Sequence, residues 1–224
     1  MLTRLSHLTA LLILLALAAP AAAAEWTDLF DGKSLDGWTQ RGGKANYKVE
    51  DGVIVGSSVP NTGNSFLCTN KDYGDFVLEL EFKVDPKLNS GVQFRSQYLE
   101  EAREVEYMGK KIKEPKQRVF GYQCEIDPSA RAYSGGIYDE SRRGWIFDLK
   151  NNEPARKAFQ HNEWNKFRIE CQGDSIKTFI NEVPAADFKD GLTPKGFIAL
   201  QVHGVGDKTE PMEVRWRNIR IQEK

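Results

Sequence analysis

The stretch Phe76–Val84, which reads FVLELEFKV, decides the fold class. Its apolar residues at 76, 78, 80, 82 and 84 fall on one parity, and Glu79, Glu81 and Lys83 fall on the other. Successive side chains of a β-strand point to opposite faces, so this period of two predicts a strand with one buried face. An amphipathic helix would instead repeat its apolar residues every three to four positions.

Similar short runs recur along the chain, with turn signals between them. Two hairpins are indicated, at Glu50-Asp51-Gly52 and at Gln172-Gly173-Asp174. About ten strands with short connections, and almost no helical periodicity, predict an all-β fold, an antiparallel two-sheet jelly-roll sandwich. The further runs are Tyr47–Val49, Val53–Val55, Gly91–Ser96, Val119–Asp127, Gly144–Leu149, Lys166–Cys171, Ile176–Ile180, Gly196–His203 and Val214–Ile221.

Two irregularities interrupt this pattern. The apolar phase slips within Val214–Ile221, which predicts a β-bulge near Arg217-Asn218. The segment Leu99–Arg118 carries 11 charged residues among 20, acidic first and basic later. We expect a solvated insertion, a protruding hairpin that turns at Met108-Gly109. A lid over a functional site is the alternative, because long loops often carry function.

The amino-terminal residues 1–24 have the pattern of a secretory signal peptide. Arg4 is the one charged residue there, an apolar run follows at Leu8–Ala19, and Pro20 and four alanines precede Glu25. The apolar run is shorter than the roughly 20 residues of a membrane span. We therefore expect export to the periplasm or outside the cell, and a single domain at 25–224 without a membrane span.

Charge and cysteine content exclude several classes of function. Without Arg4 the remaining chain has 30 basic and 32 acidic residues, a net charge of −2. Nucleic acids and anionic membranes both require a basic surplus, so neither is an expected partner. The three cysteines, Cys68, Cys124 and Cys171, lie in strand-like segments without metal-binding spacing, and either free buried thiols or one disulfide fits them.

Candidate site residues lie at alternating positions of three predicted strands. Side chains two apart on a strand share a face and lie about 7 Å apart. These side chains are flat and carry several hydrogen-bonding atoms, which suits the binding of sugar hydroxyls and proton transfer. The alternative is an ordinary solvated sheet face. The residues are Gln93, Arg95, Gln123, Glu125, Asp127, Gln201 and His203.

The pair Glu125 and Asp127 suggests a two-carboxylate glycosidase. Jelly-roll β-glucanases carry Glu-x-Asp-x-x-Glu, but here Pro128 ends the strand and the second glutamate is missing. A retaining hydrolase would therefore need its acid from another strand. Trp145 and Trp164 are candidate sugar platforms, although core packing is the common role of such residues. His161 is expected on the solvated surface.

The ordered motifs of the chain resemble the 3-keto-disaccharide hydrolase family, long called domain of unknown function 1080. The motifs that carry the resemblance are Trp26–Trp38, Asn89–Ser96, Gly121–Asp127, Ser134–Tyr138, Gly196–Gly204 and Val214–Ile221. The resemblance implies a concanavalin-A-like jelly roll, often secreted, that cleaves glycosidic bonds of sugars oxidised at C3. The insertion Leu99–Arg118 is the least typical part.

This implied chemistry needs no carboxylate nucleophile. A C3 ketone acidifies the C2 hydrogen, so a base removes it, the enolate expels the C1 substituent, and water then adds to the enone. We expect Glu125 or His203 to be the base, with the other as acid or metal ligand. Arg95 would stabilise the enolate oxygen. The sugar hydroxyls would be held by Gln93, Gln123, Asp127, Tyr138 and Gln201.

The sequence leaves open whether a metal ion is bound and which of several functions the protein has. A divalent cation near Glu125 and His203 would polarise the ketone, but two ligands do not make a metal site, so the metal stays open. Three other functions compete with the 3-keto chemistry. They are a lectin-like carbohydrate-binding module without catalysis, a conventional glycoside hydrolase on unoxidised glycans, and an interaction domain of a larger secreted assembly.

Overall fold

The computed structural model describes residues 25–224, so the expected signal peptide at 1–24 lies outside the described residues. The described residues form strands and one short helix, α1 at Glu153–Ala158. The first strands are β1 (Thr27–Asp28), β2 (Trp38–Gly42), β3 (Asn46–Glu50), β4 (Val53–Ser57), β5 (Ser65–Tyr73), β6 (Phe76–Val84), β7 (Ser90–Tyr98), β8 (Arg103–Tyr107) and β9 (Lys110–Glu114). The later strands are β10 (Val119–Ile126), β11 (Ile137–Glu140), β12 (Gly144–Phe147), β13 (Asn165–Gln172), β14 (Ser175–Ile180), β15 (Val183–Lys189), β16 (Gly196–Val202) and β17 (Glu213–Glu223).

Two large antiparallel sheets make up the sandwich. The sheet that we call the back sheet has the order β15-β14-β13-β6-β17-β4-β3, with β1 paired to β17. The front sheet has the order β12-β11-β10-β7-β16-β5-β2. Most sheet neighbours are distant in sequence, as a jelly roll requires. The predicted all-β, two-sheet antiparallel fold is confirmed.

The core lies between the two sheets and is built from the alternating apolar residues. Phe82 of the back sheet is fully buried and packs on Phe167 of β13, with ring centroids 4.5 Å apart. Phe94 and Ile198 supply buried side chains from the front sheet. A smaller apolar cluster lies apart from this core and includes Phe66 and Val119. The front sheet therefore buries side chains on both of its faces.

The predicted turns and the back-sheet bulge are confirmed. Asp51 and Gly52 join β3 to β4 with φ of 49° and 76°, the left-handed pair of a tight hairpin turn. Strands β13 and β14 pair directly across Gly173 and Asp174. The register of β17 against β6 shifts between Arg217 and Arg220, where Asn218 has a φ of 52°.

The segment Leu99–Arg118 forms the predicted hairpin, β8 with β9, which turns at Met108-Gly109. It does not project freely into solvent. The Tyr107 hydroxyl accepts a hydrogen bond from the Gly191 amide at 2.8 Å, and the buried Glu114 accepts one from Arg142 at 3.1 Å. The hairpin is therefore fixed to the body of the sandwich by its inner face.

Two further features of the described residues bear on function. Cys68, Cys124 and Cys171 are all buried and free, so of the two expectations the free thiols are the observed state. Within residues 25–224, no helix has the length and apolar character needed to cross a membrane.

Candidate active site

An open cavity of about 660 Å³ lies over the front sheet, in the size range of small-molecule sites. Strands β10 and β11, the loop after β10 and the end of β16 supply most of its wall. We call it the main cavity. It is lined by Asn64, Asn89, Gln123, Glu125, Asp127, Ser129, Arg131, Tyr138, Glu140, Trp145 and His203.

Five of the residues expected from the sequence converge on this cavity. They are Glu125, His203, Gln123, Asp127 and Tyr138. Trp145, one of the two expected sugar platforms, also lines it. The face that alternation marked as polar thus contributes to the lining of a cavity, but it is not a wet face, since every residue of β10 and β16 is buried.

Glu125 is the most perturbed carboxyl in the cavity. It is 4% exposed, and its oxygens accept hydrogen bonds from the amide groups of Asn89 and Gln123, both at 2.7 Å. Burial raises its pKa to about 7, the charge of Asp127 adds to this, and the two amides together with Arg131 reduce it. Glu125 therefore exchanges a proton near neutral pH, which suits a general base.

A chain of buried amides sets the orientation of Glu125. Gln93 is fully buried, donates to Gln123 Oε1, and accepts from the Ser96 hydroxyl at 2.8 Å. Gln123 in turn donates to Glu125, so each amide fixes the next. A Cβ on Gly91 would come within 2.4 Å of the Gln123 side chain, so glycine is required for Gln123 to cross over β7. Gln93 consequently supports the site from behind and does not line the cavity.

Asp127 organises the loop that follows β10. It accepts hydrogen bonds from the Ser129 hydroxyl at 2.6 Å, from Arg131 Nε at 2.7 Å and from the Tyr133 amide at 3.2 Å. Burial opposes ionisation, but these hydrogen bonds outweigh it and lower the pKa of Asp127. Asp127 is therefore a fixed anion, and its neighbour Glu125 is the carboxyl that titrates.

Among the described residues, Arg131 is the one arginine that lines the main cavity. Its Nη2 lies 3.7 Å from Glu125 Oε1, and its guanidinium carbon lies 4.9 Å from the centroid of the Trp145 ring. The bond to Asp127 and the aromatic contact together hold the group in place. A fixed cation beside the base is suited to stabilising charge that develops on a bound substrate.

Tyr138 and Glu140 of β11, and His203 just after β16, also line the cavity. Tyr138 packs edge-on against Trp145, with ring centroids 5.4 Å apart. Burial raises the pKa of Glu140, and Ser141, His203 and Arg118 act against that rise. The Nδ1 atom of His203 lies 2.7 Å from the Gly204 carbonyl. Since a carbonyl oxygen only accepts, Nδ1 carries hydrogen, and Nε2 is left free to act on a ligand.

Arg95 does not reach the cavity, contrary to its expected role at the enolate. It donates to the carbonyls of Gly74 and Gly173, both at 2.8 Å, and to Asp75 at 2.9 Å. The reason is a bulge in β7. On β7, Gln93 pairs with Ala199 and Ser96 pairs with Phe197, so two residues of β7 stand opposite one residue of β16. The two residues are Phe94 and Arg95, and Arg95 has a φ of 45°. The extra residue breaks the alternation, so Arg95 turns away from Gln93 and clamps the connection between β5 and β6 and the turn between β13 and β14.

Gln201 and Trp164 also lie off the cavity surface. Gln201 is fully buried between Gly91 and Phe66 of the neighbouring strands, and within residues 25–224 neither of its amide atoms has a hydrogen-bond partner. It forms part of the layer beneath the site. Trp164 packs under Arg217 of the back sheet at 4.0 Å. His161 is exposed and contacts Phe159, as expected of a surface residue.

Five lining residues were not among the expected site residues: Asn64, Asn89, Ser129, Arg131 and Glu140. Alternation could have found Glu140, which is two residues after Tyr138 on β11 and so shares its face. The other four lie outside the strands, on connections where no periodic signal exists. Their positions are set by contacts between segments far apart in the chain.

Among the described residues, no three or more histidine, cysteine, aspartate or glutamate side chains cluster in a way that could hold a metal ion. The divalent cation near Glu125 and His203 therefore stays a prediction, and the chemistry below uses the side chains alone.

The model of the 3-keto-alpha-glucoside-1,2-lyase-like domain matches residues 25–222. The chain belongs to this family. The resemblance carried by the sequence motifs is thereby confirmed, and the match spans nearly the whole of the described chain. A search of curated protein sequences gave no match.

Solved structures similar to this family member share its fold. A Parabacteroides distasonis protein described as a "putative glycosyl hydrolase" aligns with a TM-score of 0.58 at 18% identity, over 89% of this chain and 94% of that one. The Bacillus licheniformis β-glucanase aligns with a TM-score of 0.51 at 11% identity, over 91% and 99%. The carbohydrate-binding module CBM66 of Bacillus subtilis gives 0.50 at 16%, over 84% and 96%. At these identities the likeness concerns the fold, a scaffold found in both carbohydrate-cleaving and carbohydrate-binding proteins.

Proposed function

We propose that the protein cleaves the glycosidic bond of 3-keto-glycosides by elimination across C1 and C2, followed by hydration. The observation that carries this proposal is Glu125, a buried carboxyl between two neutral amides, with a pKa of about 7. Removal of a C–H proton at neutral pH requires a base that is desolvated and yet ionised in a useful fraction. Membership of the family supports the substrate class.

Glu125 takes the C2 proton, which the neighbouring ketone has made acidic. The electron pair of the C2–H bond moves toward the C3 oxygen, and Arg131 stabilises the negative charge there in place of Arg95. The C1–O bond then breaks, its electrons leave with the departing oxygen, and a proton neutralises that oxygen. Addition of water to the resulting enone completes the hydrolysis.

The remaining lining residues position the sugar. Trp145 offers an aromatic face, and Tyr138 and Asn89 offer donors and acceptors for hydroxyl groups. His203 lines the same cavity and uses Nδ1 for the Gly204 carbonyl, so its Nε2 is the candidate for activating the water that adds to the enone. Binding therefore needs no strong overall field, which agrees with a nearly neutral chain.

The test is isotopic and does not depend on any variant. A 3-keto-glucoside with deuterium at C2 should be cleaved several-fold more slowly than the unlabelled sugar, and the product formed in D₂O should carry deuterium at C2. Cleavage without a C2 isotope effect and without C2 exchange would overturn the elimination mechanism. The matched unoxidised glucoside should not be cleaved.

A conventional glycoside hydrolase is the second candidate, and one observation favours it. Glu140 lines the same cavity as Glu125, which supplies the second carboxyl that Pro128 prevents on β10. This function predicts turnover of a 4-nitrophenyl glycoside that has not been oxidised. Release of 4-nitrophenol from that sugar, abolished by Glu125→Gln, would establish it over the 3-keto chemistry.

We also propose that the domain acts after export, in the periplasm or outside the cell. The support is the sequence pattern of residues 1–24. Expression of the full chain in a bacterial host should yield an exported protein whose amino terminus is at or near Glu25. Retention of an intact amino terminus in the cytoplasm would contradict this.

A further inference from the structure

A second cavity of about 630 Å³ adjoins the main cavity and is nearly as large. The two share Asn64 and Glu140 in their linings, so they are one groove with a divide at these two residues. The remaining lining of the second cavity comes from other segments, namely Gly42, Gly43, Gly63, Phe66, Gln117, Arg118, Val119 and Ser141.

The divide is held in place from both sides. The Asn64 carbonyl accepts a hydrogen bond from the Gly43 amide at 2.8 Å, and its side-chain oxygen accepts one from the Gly204 amide at 3.0 Å, next to His203. Glu140 accepts from the Ser141 hydroxyl at 3.0 Å and has Asn64 as a further hydrogen-bonding neighbour. The carboxyl therefore stands at a defined point between the two spaces.

The second cavity has the composition of a sugar-ring subsite. Its floor is apolar, from Phe66 and Val119, and its rim is polar, from Arg118 and Ser141. Gly42, Gly43 and Gly63 also line it, so part of its wall is bare backbone. An apolar surface beneath polar groups matches a pyranose, which has apolar faces and hydroxyl edges.

We propose that the second cavity binds the leaving group of the substrate, a second sugar ring, and that Glu140 protonates the departing glycosidic oxygen. This inference rests on the proposed function. The oxidised ring would occupy the main cavity beside Glu125, and the scissile C1–O bond would lie at the divide. Glu125 gains the C2 proton, the C1–O electrons go to the leaving oxygen, and Glu140 gives up the proton that completes the free sugar. Water later exchanges these protons, which restores both carboxyls.

Gly63 lines the second cavity and can carry a side chain without a clash at Cβ. Nothing lies within 4 Å of a Cβ built on it, and it is exposed, so Gly63→Leu would project a side chain into open space. Gly191→Leu is the matched control, because Gly191 is also exposed, its nearest neighbour to a Cβ is at 3.7 Å, and it lines neither cavity. Gly63→Ala supplies a smaller obstruction.

The experiment compares a 3-keto-disaccharide with a methyl 3-keto-glucoside. For Gly63→Leu, kcat/KM for the disaccharide should fall by about tenfold or more, while that for the methyl glycoside stays within twofold. Gly63→Ala should give a smaller loss, and Gly191→Leu should change neither. Equal losses on both substrates, or no loss on the disaccharide, would overturn the leaving-group subsite.

Glu140→Gln tests the acid by varying the leaving group. A sugar leaving group needs protonation and 4-nitrophenolate does not, so the variant should lose about 100-fold on the 3-keto-disaccharide and less than threefold on the 4-nitrophenyl 3-keto-glucoside. Equal losses on both would mean a merely structural role and would overturn the assignment. If the unsubstituted protein cleaves none of these sugars, the proposed function fails and this inference fails with it. If it cleaves them and Gly63→Leu does not discriminate, only the subsite is refuted.

Discussion

Glu79 of the back sheet and Glu125 of the front sheet, the carboxyl that we propose as the catalytic base, differ in the partners that surround them. Both lie on strands of the sandwich and both are nearly buried, at 6% and 4% exposed. Glu79 accepts from Arg220 at 2.7 Å and Arg168 at 2.9 Å, with Lys166 at 3.3 Å. Glu125 accepts from two neutral amides instead.

The hydrogen-bonding partners of the two carboxyls, and not their burial, decide whether the pKa is raised or lowered. Burial acts to raise the pKa of both carboxyls. At Glu79 the hydrogen bonds from Arg220, Arg168 and Lys166 outweigh burial and lower the pKa. At Glu125 the amides only reduce the rise, and the pKa stays at about 7. Amides can therefore fix a carboxyl in place without committing it to one protonation state, which is what a base requires.

The largest expected effect is on activity. Glu125→Gln should reduce kcat/KM on a 3-keto-glucoside by about 10² to 10⁴, since it removes the base while keeping the shape of the side chain. The matched variant Glu79→Gln should stay within twofold, because Glu79 faces a cluster of cations on the other sheet. A comparable loss in both variants, measured on folded protein, would erase the distinction between the two carboxyls.

The second effect is on stability as a function of pH. The folded protein holds the Glu125 proton up to about pH 7, whereas the unfolded chain releases it near the ordinary value of 4.5. The wild type should therefore lose about 2 kcal/mol of unfolding free energy, relative to Glu125→Gln, between pH 5 and pH 8. Urea unfolding at the two pH values measures this difference.

Glu79 provides the control for that measurement. Its folded pKa is lowered, so its contribution to stability is fully present above the unfolded pKa and is lost only as the pH falls through the folded pKa. Glu79→Gln should show no slope relative to wild type between pH 5 and pH 8. A slope of the same sign and size in both variants would contradict the assigned partners.

A third effect distinguishes the two arginines considered for the enolate. Arg95→Lys keeps the charge but cannot make three hydrogen bonds in the guanidinium geometry, so it should lose about 1 to 3 kcal/mol of unfolding free energy. The kcat/KM of the folded variant should stay within twofold. A large loss of activity with unchanged stability would restore Arg95 to the reaction.

The smallest effect concerns the cation next to the base. Arg131→Gln removes the positive charge 3.7 Å from Glu125, which moves the acid limb of the pH–rate profile toward higher pH. Because Arg131 is about half exposed, we expect only about a two- to threefold extra loss of kcat/KM at pH 6 compared with pH 8.5. Arg217→Gln is the matched control, since Arg217 also pairs with a glutamate and packs over a tryptophan. An unshifted limb would remove Arg131 from the electrostatics of the site.

Much of the fold and part of the site could be predicted from the sequence. Alternation in Phe76–Val84 is a local property of the strand, and the glycines of the turns Asp51-Gly52 and Met108-Gly109 favour the left-handed geometry found there. The same alternation placed Gln123 and Glu125 on one face, and both line the main cavity. These predictions succeeded because each depends on neighbours only one to three residues away.

Other features could not be predicted, because they depend on contacts between distant segments. A bulge that breaks parity between Gln93 and Arg95 left no mark in an otherwise regular run. Asn89 and Arg131 lie on loops, and the carboxyl that they contact is on β10. The alternation of side chains along a strand predicts neither the bulge nor the positions of the loop residues.

By itself the sequence determined an all-β sandwich, the family, and a polar row on one sheet face. Local backbone preferences and side-chain periodicity are sufficient for these, since they act within a strand or a turn. Only the tertiary structure decided which carboxyl has cations as partners and which has amides, which arginine lies beside the base, and where Asn64 and Glu140 divide the groove. Those properties arise from packing and from electrostatic fields, which act between residues that are close in space whatever their separation along the chain.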